Sequence, residues 1–493
     1  RLLPRTYDLG DIFGQMYLKT EGIYSTAIGA SVSFIFLFIL FGAFLAKSGM
    51  GQLFNDLALA LAGHKQGGPA KVAVISSGFM GSINGSAVGN VVGTGVFTIP
   101  MMKRVGYNAN FAGAVEASAS VGGQILPPIM GASAFIMAET TGVKYSTIAL
   151  AAFFPALLYY LGVIAQVHFR AGKDNLKGIP KADLPRVKEV LLARGHLLIP
   201  IFALVYFLSE SVPINFAAFY TIVISIIVSQ FRKETRMNFK DVVDALISGA
   251  KQSLPVMAAC AVVGIIIGTV SLTGFASVMI SMITSIGKDS LFLTLFLTML
   301  ASMVLGMGLP SIPAYIITAT MAAPAIAGLG VPVLVAHLFV FYFGLFANIT
   351  PPVALASFAG AGIAGGDPMK TGWQSLKLAL AGFIVPFMFV YNPAMLYIDT
   401  TGLTSMNVTE FPVPPILSII MISFTSIVGV ISLGAAVEGY FKTNMNMIER
   451  LILAVGALML IIPELYTDIG GMIIVVIIAV MNIQKSKKLT LSK

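Results

Sequence analysis

Cysteine, histidine and charge are all scarce in this chain. The single cysteine, Cys260, lies in an apolar run, so no internal disulfide, zinc cluster or redox pair can be assembled, and the residue reads as packing. Of the four histidines, His337 sits in an apolar helix and reads as a packed or hydrogen-bonded residue rather than a ligand. No Gly-rich loop ends in Gly-Lys-Ser/Thr, which argues against ATP-driven transport within the chain. Neither His-Glu-x-x-His nor a nucleophile elbow occurs, so the chain does not read as an enzyme.

Apolar surface is what the chain has in excess. It is 57% hydrophobic and only 10% charged, with a mean hydropathy of +0.91, outside the range of a soluble domain. The reading is an all-α polytopic membrane protein embedded in a lipid bilayer. The net charge of +9 does not point to nucleic acid, because the basic residues gather in short loops between apolar spans and act as orientation signals. Arg1 stands where Met would and no cleavable signal pattern precedes the first apolar run, so residues 1–22 read as an extramembrane remnant of a longer chain.

Ile23 to Ala46 predicts a first crossing, and Gly51 to Ala62, with Leu53, Phe54, Leu57 and Leu61 at helical spacing, an interfacial helix. Residues 71–102 are apolar but broken at Gly81-Ser82-Ile83-Asn84-Gly85-Ser86, leaving arms of roughly 13 residues, about 20 Å each, too short to span. Lys65 and Lys71 precede this segment and Lys103-Arg104 follow it, which predicts a re-entrant hairpin entering from the cytoplasm. Asn108 to Ala138 reads as a crossing broken at Gly122 to Pro128, and Tyr145 to Val167 returns. The basic stretches Arg170–His196 and Arg232–Lys251 are cytoplasmic in this scheme, separated by two short helices that turn at Ser209–Pro213.

The same order then recurs. Gln124 and Asn348, Pro128 and Pro352, Pro100 and Pro324, and Gly63 and Gly287 are all separated by the same interval. Leu254–Val270 matches the first span, Phe275–Ile286 the interfacial helix, 290–329 the hairpin, and Val333–Ile363 the broken crossing. No Lys or Arg occurs between Asp289 and Met369, so the second hairpin should enter from outside. That makes an inverted-topology repeat with two hairpins and two broken transmembrane helices, the pattern of a secondary transporter. The repeats cover 23–168 and 254–398, with a linker at 169–253 and additional spans within 399–493 (Ile416–Val437, Met447–Ile462, Ile469–Met481). Lys485, Lys487, Lys488 and Lys493 place the C-terminus in the cytoplasm.

Broken backbone at membrane depth is tolerated where it lines a cavity or is buried in protein. Half-helix N-termini suit a carboxylate, and unwound carbonyls with side-chain oxygens suit Na⁺. The candidate substrate and ion residues are therefore Ser82, Asn84, Ser86, Asn90, Gly122, Gly123 and Gln124 in the first copy. Ser311, Asn348, Thr350 and Pro351 are their counterparts in the second. Gly and Ser at such places also serve close helix packing. Glu116, an acid two turns before the Gly-Gly break, is either the coupling residue or a hydrogen-bond partner of a neighbouring helix.

The runs Gly81–Asn90, Thr98-Ile99-Pro100, Val115–Pro128 and Ala347–Pro352 resemble the large membrane subunit of TRAP transporters, in the variant of the TAXI-associated branch, over roughly residues 23–398. The resemblance implies a permease in a bacterial or archaeal inner membrane that imports organic acids or amino acids on a Na⁺ or H⁺ gradient, without another cofactor. It implies two partners, an extracytoplasmic solute-binding protein of TAXI type and a small membrane subunit, fused or separate. It also implies an elevator, in which Lys71–Val167 and Ser290–Tyr391 move together against a scaffold. A stand-alone ion-coupled anion transporter, an ion channel and a purely structural subunit are the alternatives.

Overall fold

The computed structural model describes residues 7–287, 290–401, 408–461 and 465–491. Arg1, Asp289, Ile462 and Lys493, which bound features of the sequence reading, lie outside them. Among the described residues the chain is helical with no strand. Six helical stretches among these residues are long and apolar enough to cross a membrane, the interrupted Lys181–Ser209 being one of them, and a bent pair makes a seventh.

The scaffold begins with α1 (Thr26–Lys47) and the amphipathic α2 (Met50–Ala62). A helical hairpin follows, α3 (Gly68–Asn84) and α4 (Ala87–Arg104). The first broken crossing is α5 (Ala109–Gly123) and α6 (Ser133–Thr141), after which α7 (Tyr145–Lys173) crosses the whole molecule. Three shorter helices, α8 (Val187–Arg194), α9 (Ile199–Ser209) and α10 (Ile214–Ser229), lead to the long α11 (Phe239–Thr273). The second series is α12 (Phe275–Gly287), the hairpin α13 (Leu291–Gly306) and α14 (Ser311–Met321), and the broken pair α15 (Val333–Phe346) and α16 (Leu355–Ala364). It closes with α17 (Pro368–Leu378) and α18 (Leu380–Tyr391), bent by 40°. Three more helices complete the chain, α19 (Ile416–Glu438), α20 (Met447–Ile461) and α21 (Leu465–Leu491).

Two features differ from the sequence reading. The first break is confined to Gly85 and Ser86 instead of running from Gly81 to Ser86, and its arms have 17 and 18 residues. Gly81 and Ser82 stay helical because tertiary contacts outweigh their weak propensity: Gly81 lies against Gly123, and the Ser82 hydroxyl donates back to the Phe79 carbonyl at 2.8 Å. The turn itself needs glycine at Gly85, whose φ is +71°. The second difference is α11, which starts at Phe239 rather than Leu254, so the boundary expected at 253/254 falls inside one helix. A capping box explains the earlier start: Asn238 accepts from the Asp241 amide at 2.9 Å and Asp241 from the Asn238 amide at 3.0 Å.

Ion pairs join Lys47 at the end of α1 to Asp241 and Asp244 at the start of α11, each at 3.2 Å. Near the middle, α5 is rich in Ala, Gly and Ser and is buried from Phe111 to Gly123. A Cβ on Gly113 would stand 2.8 Å from the Gly360 carbonyl oxygen, so α5 and α16 meet backbone to backbone, as small residues permit inside membranes. Gly113→Val is therefore expected to separate these helices and to destabilise the protein by about 1–3 kcal/mol, the usual cost of overpacking. Thermal unfolding in detergent checks this, and an unchanged midpoint would refute the contact.

Candidate functional site

Five residues singled out from the sequence, Asn84, Ser86, Gln124, Ser311 and Asn348, line one cavity of about 590 Å³. It lies where the two hairpin tips meet the two breaks, facing α1 and α11 across the cavity. The Gly85 carbonyl is the junction: it accepts from Gln124 Nε2 at 2.7 Å and from Ser311 Oγ at 3.1 Å, one donor from each half of the chain. Gly131, with φ of +64°, allows this approach, since a Cβ there would come within 3.2 Å of the Gly85 oxygen and 3.3 Å of Ser311 Oγ. The Ile129 amide donates to the Ser82 carbonyl at 3.2 Å and ties the first break to the first hairpin.

Helix ends set the polarity of the cavity. Ser86 caps α4, its hydroxyl accepting from the Gly89 amide at 3.1 Å, and Pro310 precedes α14. Ala87, Val88, Ser311 and Ile312 line the cavity within the first turns of these helices, where amides have no preceding carbonyl within the helix. Gln124 is 1% exposed and, with Nε2 engaged, its Oε1 has no partner. The Asn348 amide makes one long bond, 3.4 Å, to the Leu309 carbonyl.

The other expected residues lie elsewhere. Ser82 and Thr350 turn back onto their own helices, Thr350 Oγ1 donating to the Phe346 carbonyl at 2.8 Å. Gly122 packs under the rings of Tyr159 and Tyr160, Gly123 against Gly81, and Pro351 against Gly372. The Pro127-Pro128 and Pro351-Pro352 bonds are both cis. Asn90 bridges the arms of the first hairpin, Nδ2 donating to the Ser77 carbonyl at 2.7 Å and to Ser77 Oγ at 3.0 Å, while its Oδ1 has no partner.

Glu116 belongs to that same interior. Its carboxylate accepts from Thr94, from Thr98 at 2.5 Å and from Ser120 at 3.5 Å, and Ser120 meets Ser77 at 2.9 Å. All these partners are hydroxyls, and the acid is fully buried. Sequence reasoning missed Gln252 and Pro255, which line the cavity from α11. The signal is present, a glutamine followed within one turn by a proline, but it stands at the edge of an apolar run that hydropathy begins at Leu254.

The model of the family described as Tripartite ATP-independent periplasmic transporter, DctM component, matches residues 4–402. The chain belongs to this family. It is 26% identical over 177 residues to the 2,3-diketo-L-gulonate TRAP transporter large permease protein YiaN of Escherichia coli, covering 36% of this chain and 41% of that one. To the C4-dicarboxylate TRAP transporter large permease protein DctM of Pseudomonas aeruginosa it is 29% identical over 147 residues, 30% of this chain and 34% of that protein. The sialic acid TRAP transporter large permease protein SiaM of Vibrio cholerae is 25% identical over 146 residues, again 30% and 34%. The matched part thus spans less than half the length of each of these relatives. The family match ends before α19, so the last three helices lie beyond it.

Two asparagines expected to act alike are separated by this geometry. Asn90→Ala should cost about 1–3 kcal/mol of stability, because it deletes two buried hydrogen bonds to Ser77 and leaves a gap between the hairpin arms. Asn348→Ala should keep the unfolding midpoint and lose substrate binding. Midpoint and binding measured on both variants check the division, and an unstable Asn348→Ala would refute it.

Proposed function

We propose that this chain is the large permease of a binding-protein-dependent secondary transporter that carries small carboxylates inward on a Na⁺ or H⁺ gradient. The observation that carries the reading is the cavity at the joined hairpin tips, where amide-rich helix ends from both halves face one volume. It works in a bacterial or archaeal inner membrane with an extracytoplasmic solute-binding protein of TAXI type and a small membrane subunit, fused or separate. The names of the relatives support transport of organic anions. Among the described residues no group of three His, Cys, Asp or Glu could hold a metal. A coupling Na⁺ would therefore take neutral oxygens, with the unpartnered Gln124 Oε1 as one donor. Glu116 is the alternative carrier, for a proton.

In this reading residues 23–168 and the stretch from α11 to residue 398 are inverted repeats joined by the helices between α7 and α11, and the tail carrying Lys485, Lys487 and Lys488 is cytoplasmic. The hairpins and broken helices move as one body against α1 and α11, with α2 and α12 as connecting arms. The three last helices travel with that body. Buried Glu438 at the end of α19 pairs with Lys377 of α17 at 3.0 Å and Arg170 of α7 at 3.8 Å. Lys173 donates to the Glu438 carbonyl at 3.1 Å, and Gln166 of α7 to the Leu378 carbonyl at 2.9 Å. α19 thereby grips both α7 and α17.

Uptake by proteoliposomes, with and without the binding protein and with the two cation gradients varied separately, tests the function. Uptake should require the binding protein and one gradient. Uptake without the binding protein would favour the stand-alone transporter, and gradient-independent conductance the channel. A disulfide tests the assignment of the last helices. A Cβ on Gly434 would stand 3.1 Å from the Ala165 Cβ, so moving apart by a few tenths of an ångström brings the pair to disulfide geometry. In a Cys260→Ala background, Ala165→Cys with Gly434→Cys should cross-link with uptake retained. Loss of uptake that a reductant restores would mean that α19 stays with the scaffold.

A further inference from the structure

The scaffold wall of the cavity is apolar at Ile35, Phe38 and Ile39 of α1 and at Val256 of α11, and it has one polar interruption, Gln252. Gln252 Nε2 donates to Ser248 Oγ at 2.9 Å, and the side chain lines the cavity. One turn away Pro255 also lines the cavity. Proline has no N–H, so the Lys251 carbonyl lacks the partner that a regular helix would give it. Lys251 is not among the residues that line the volume, so Gln252 is the one polar side chain on an otherwise apolar wall.

Across the cavity stand the N-termini of α4 and α14. Each helix end supplies about half an elementary charge of positive potential, so the pair balances about one carboxylate. Gln124 adds an independent sign that a ligand belongs there, its 1%-exposed side chain lining the cavity with an unpartnered Oε1. Among the described residues no Lys, Arg, His, Asp or Glu lines the volume, so a second carboxylate at the far end would meet the uncharged Gln252 instead of a cation.

We infer that the substrate is a monocarboxylate carrying a hydrogen-bond donor, a hydroxyl or an ammonium group, at the end remote from its carboxylate, and that the Gln252 side chain receives that donor. The inference rests on the proposed function and narrows its substrate class. Gln252 acts as a specificity determinant contributed by the stationary wall.

The test uses the full chain in detergent and four probes of matched length: butyrate, 4-hydroxybutyrate, 4-aminobutyrate and succinate. Dissociation constants are measured by saturation-transfer NMR at millimolar concentrations. At least one of 4-hydroxybutyrate and 4-aminobutyrate should bind tenfold or more tightly than both butyrate and succinate. Gln252→Leu should bring that ratio to butyrate within twofold, and Gln252→Glu, which keeps an acceptor, should preserve the preference for 4-aminobutyrate. Succinate binding as tightly as the donor-bearing probes, or Gln252→Leu weakening butyrate and its donor-bearing analogues equally, would overturn the inference and leave the proposed function standing. If none of the four binds the wild-type chain, the carboxylate site itself fails, and the inference with it.

Discussion

Backbone amides and carbonyls buried at membrane depth have no water to turn to, and that constraint organises this molecule. Each unsatisfied group there costs several kcal/mol, so a helix that stops inside the bilayer must hand its ends to protein or to a ligand. The first break hands over the Ile129 amide to the Ser82 carbonyl, and the second the Ala356 amide to the Asn348 carbonyl. The Tyr159 and Tyr160 hydroxyls reach the Ser118 and Ala119 carbonyls at 2.7 Å and brace α5 one turn before it stops. The unpartnered Gln124 Oε1 and the first turns of α4 and α14 then border one cavity.

Much of this was legible in the chain because the signals were compositional. Paired prolines, paired glycines and a constant spacing between the two copies mark the breaks, and they survive any uncertainty about helix ends. Composition could not say which polar residue points where. Asn84 and Asn90 are close neighbours in the same hairpin, yet Asn84 borders the cavity and Asn90 is locked between the arms. That difference is set by Gly85, whose left-handed turn reverses the chain between them. Gln252 was hidden for another reason. The apolar run that revealed the span begins after it, while the helix begins several turns earlier at Phe239, under a polar cap that hydropathy does not register.

Glu116 was left between two roles by the sequence, and its surroundings narrow the question. Each threonine that donates to it has a second acceptor one turn back, Thr94 at the Asn90 carbonyl (2.8 Å) and Thr98 at the Thr94 carbonyl (3.1 Å). The hydroxyls can donate to an ionised carboxylate, or turn to the backbone and accept from a protonated one. The pocket is therefore chemically compatible with both states, and it holds the acid between the arms of the hairpin rather than at its tip.

Because the Gly85 carbonyl accepts from Gln124 and Ser311 at once, the two tips are bound to each other before anything enters. A ligand arriving at such a place does not have to draw two flexible elements together, and little ordering entropy is set against its affinity. The same shared bond adds a polar link between the halves to the backbone contact of α5 with α16. Residues of both halves therefore meet at one cavity with their relative positions already fixed.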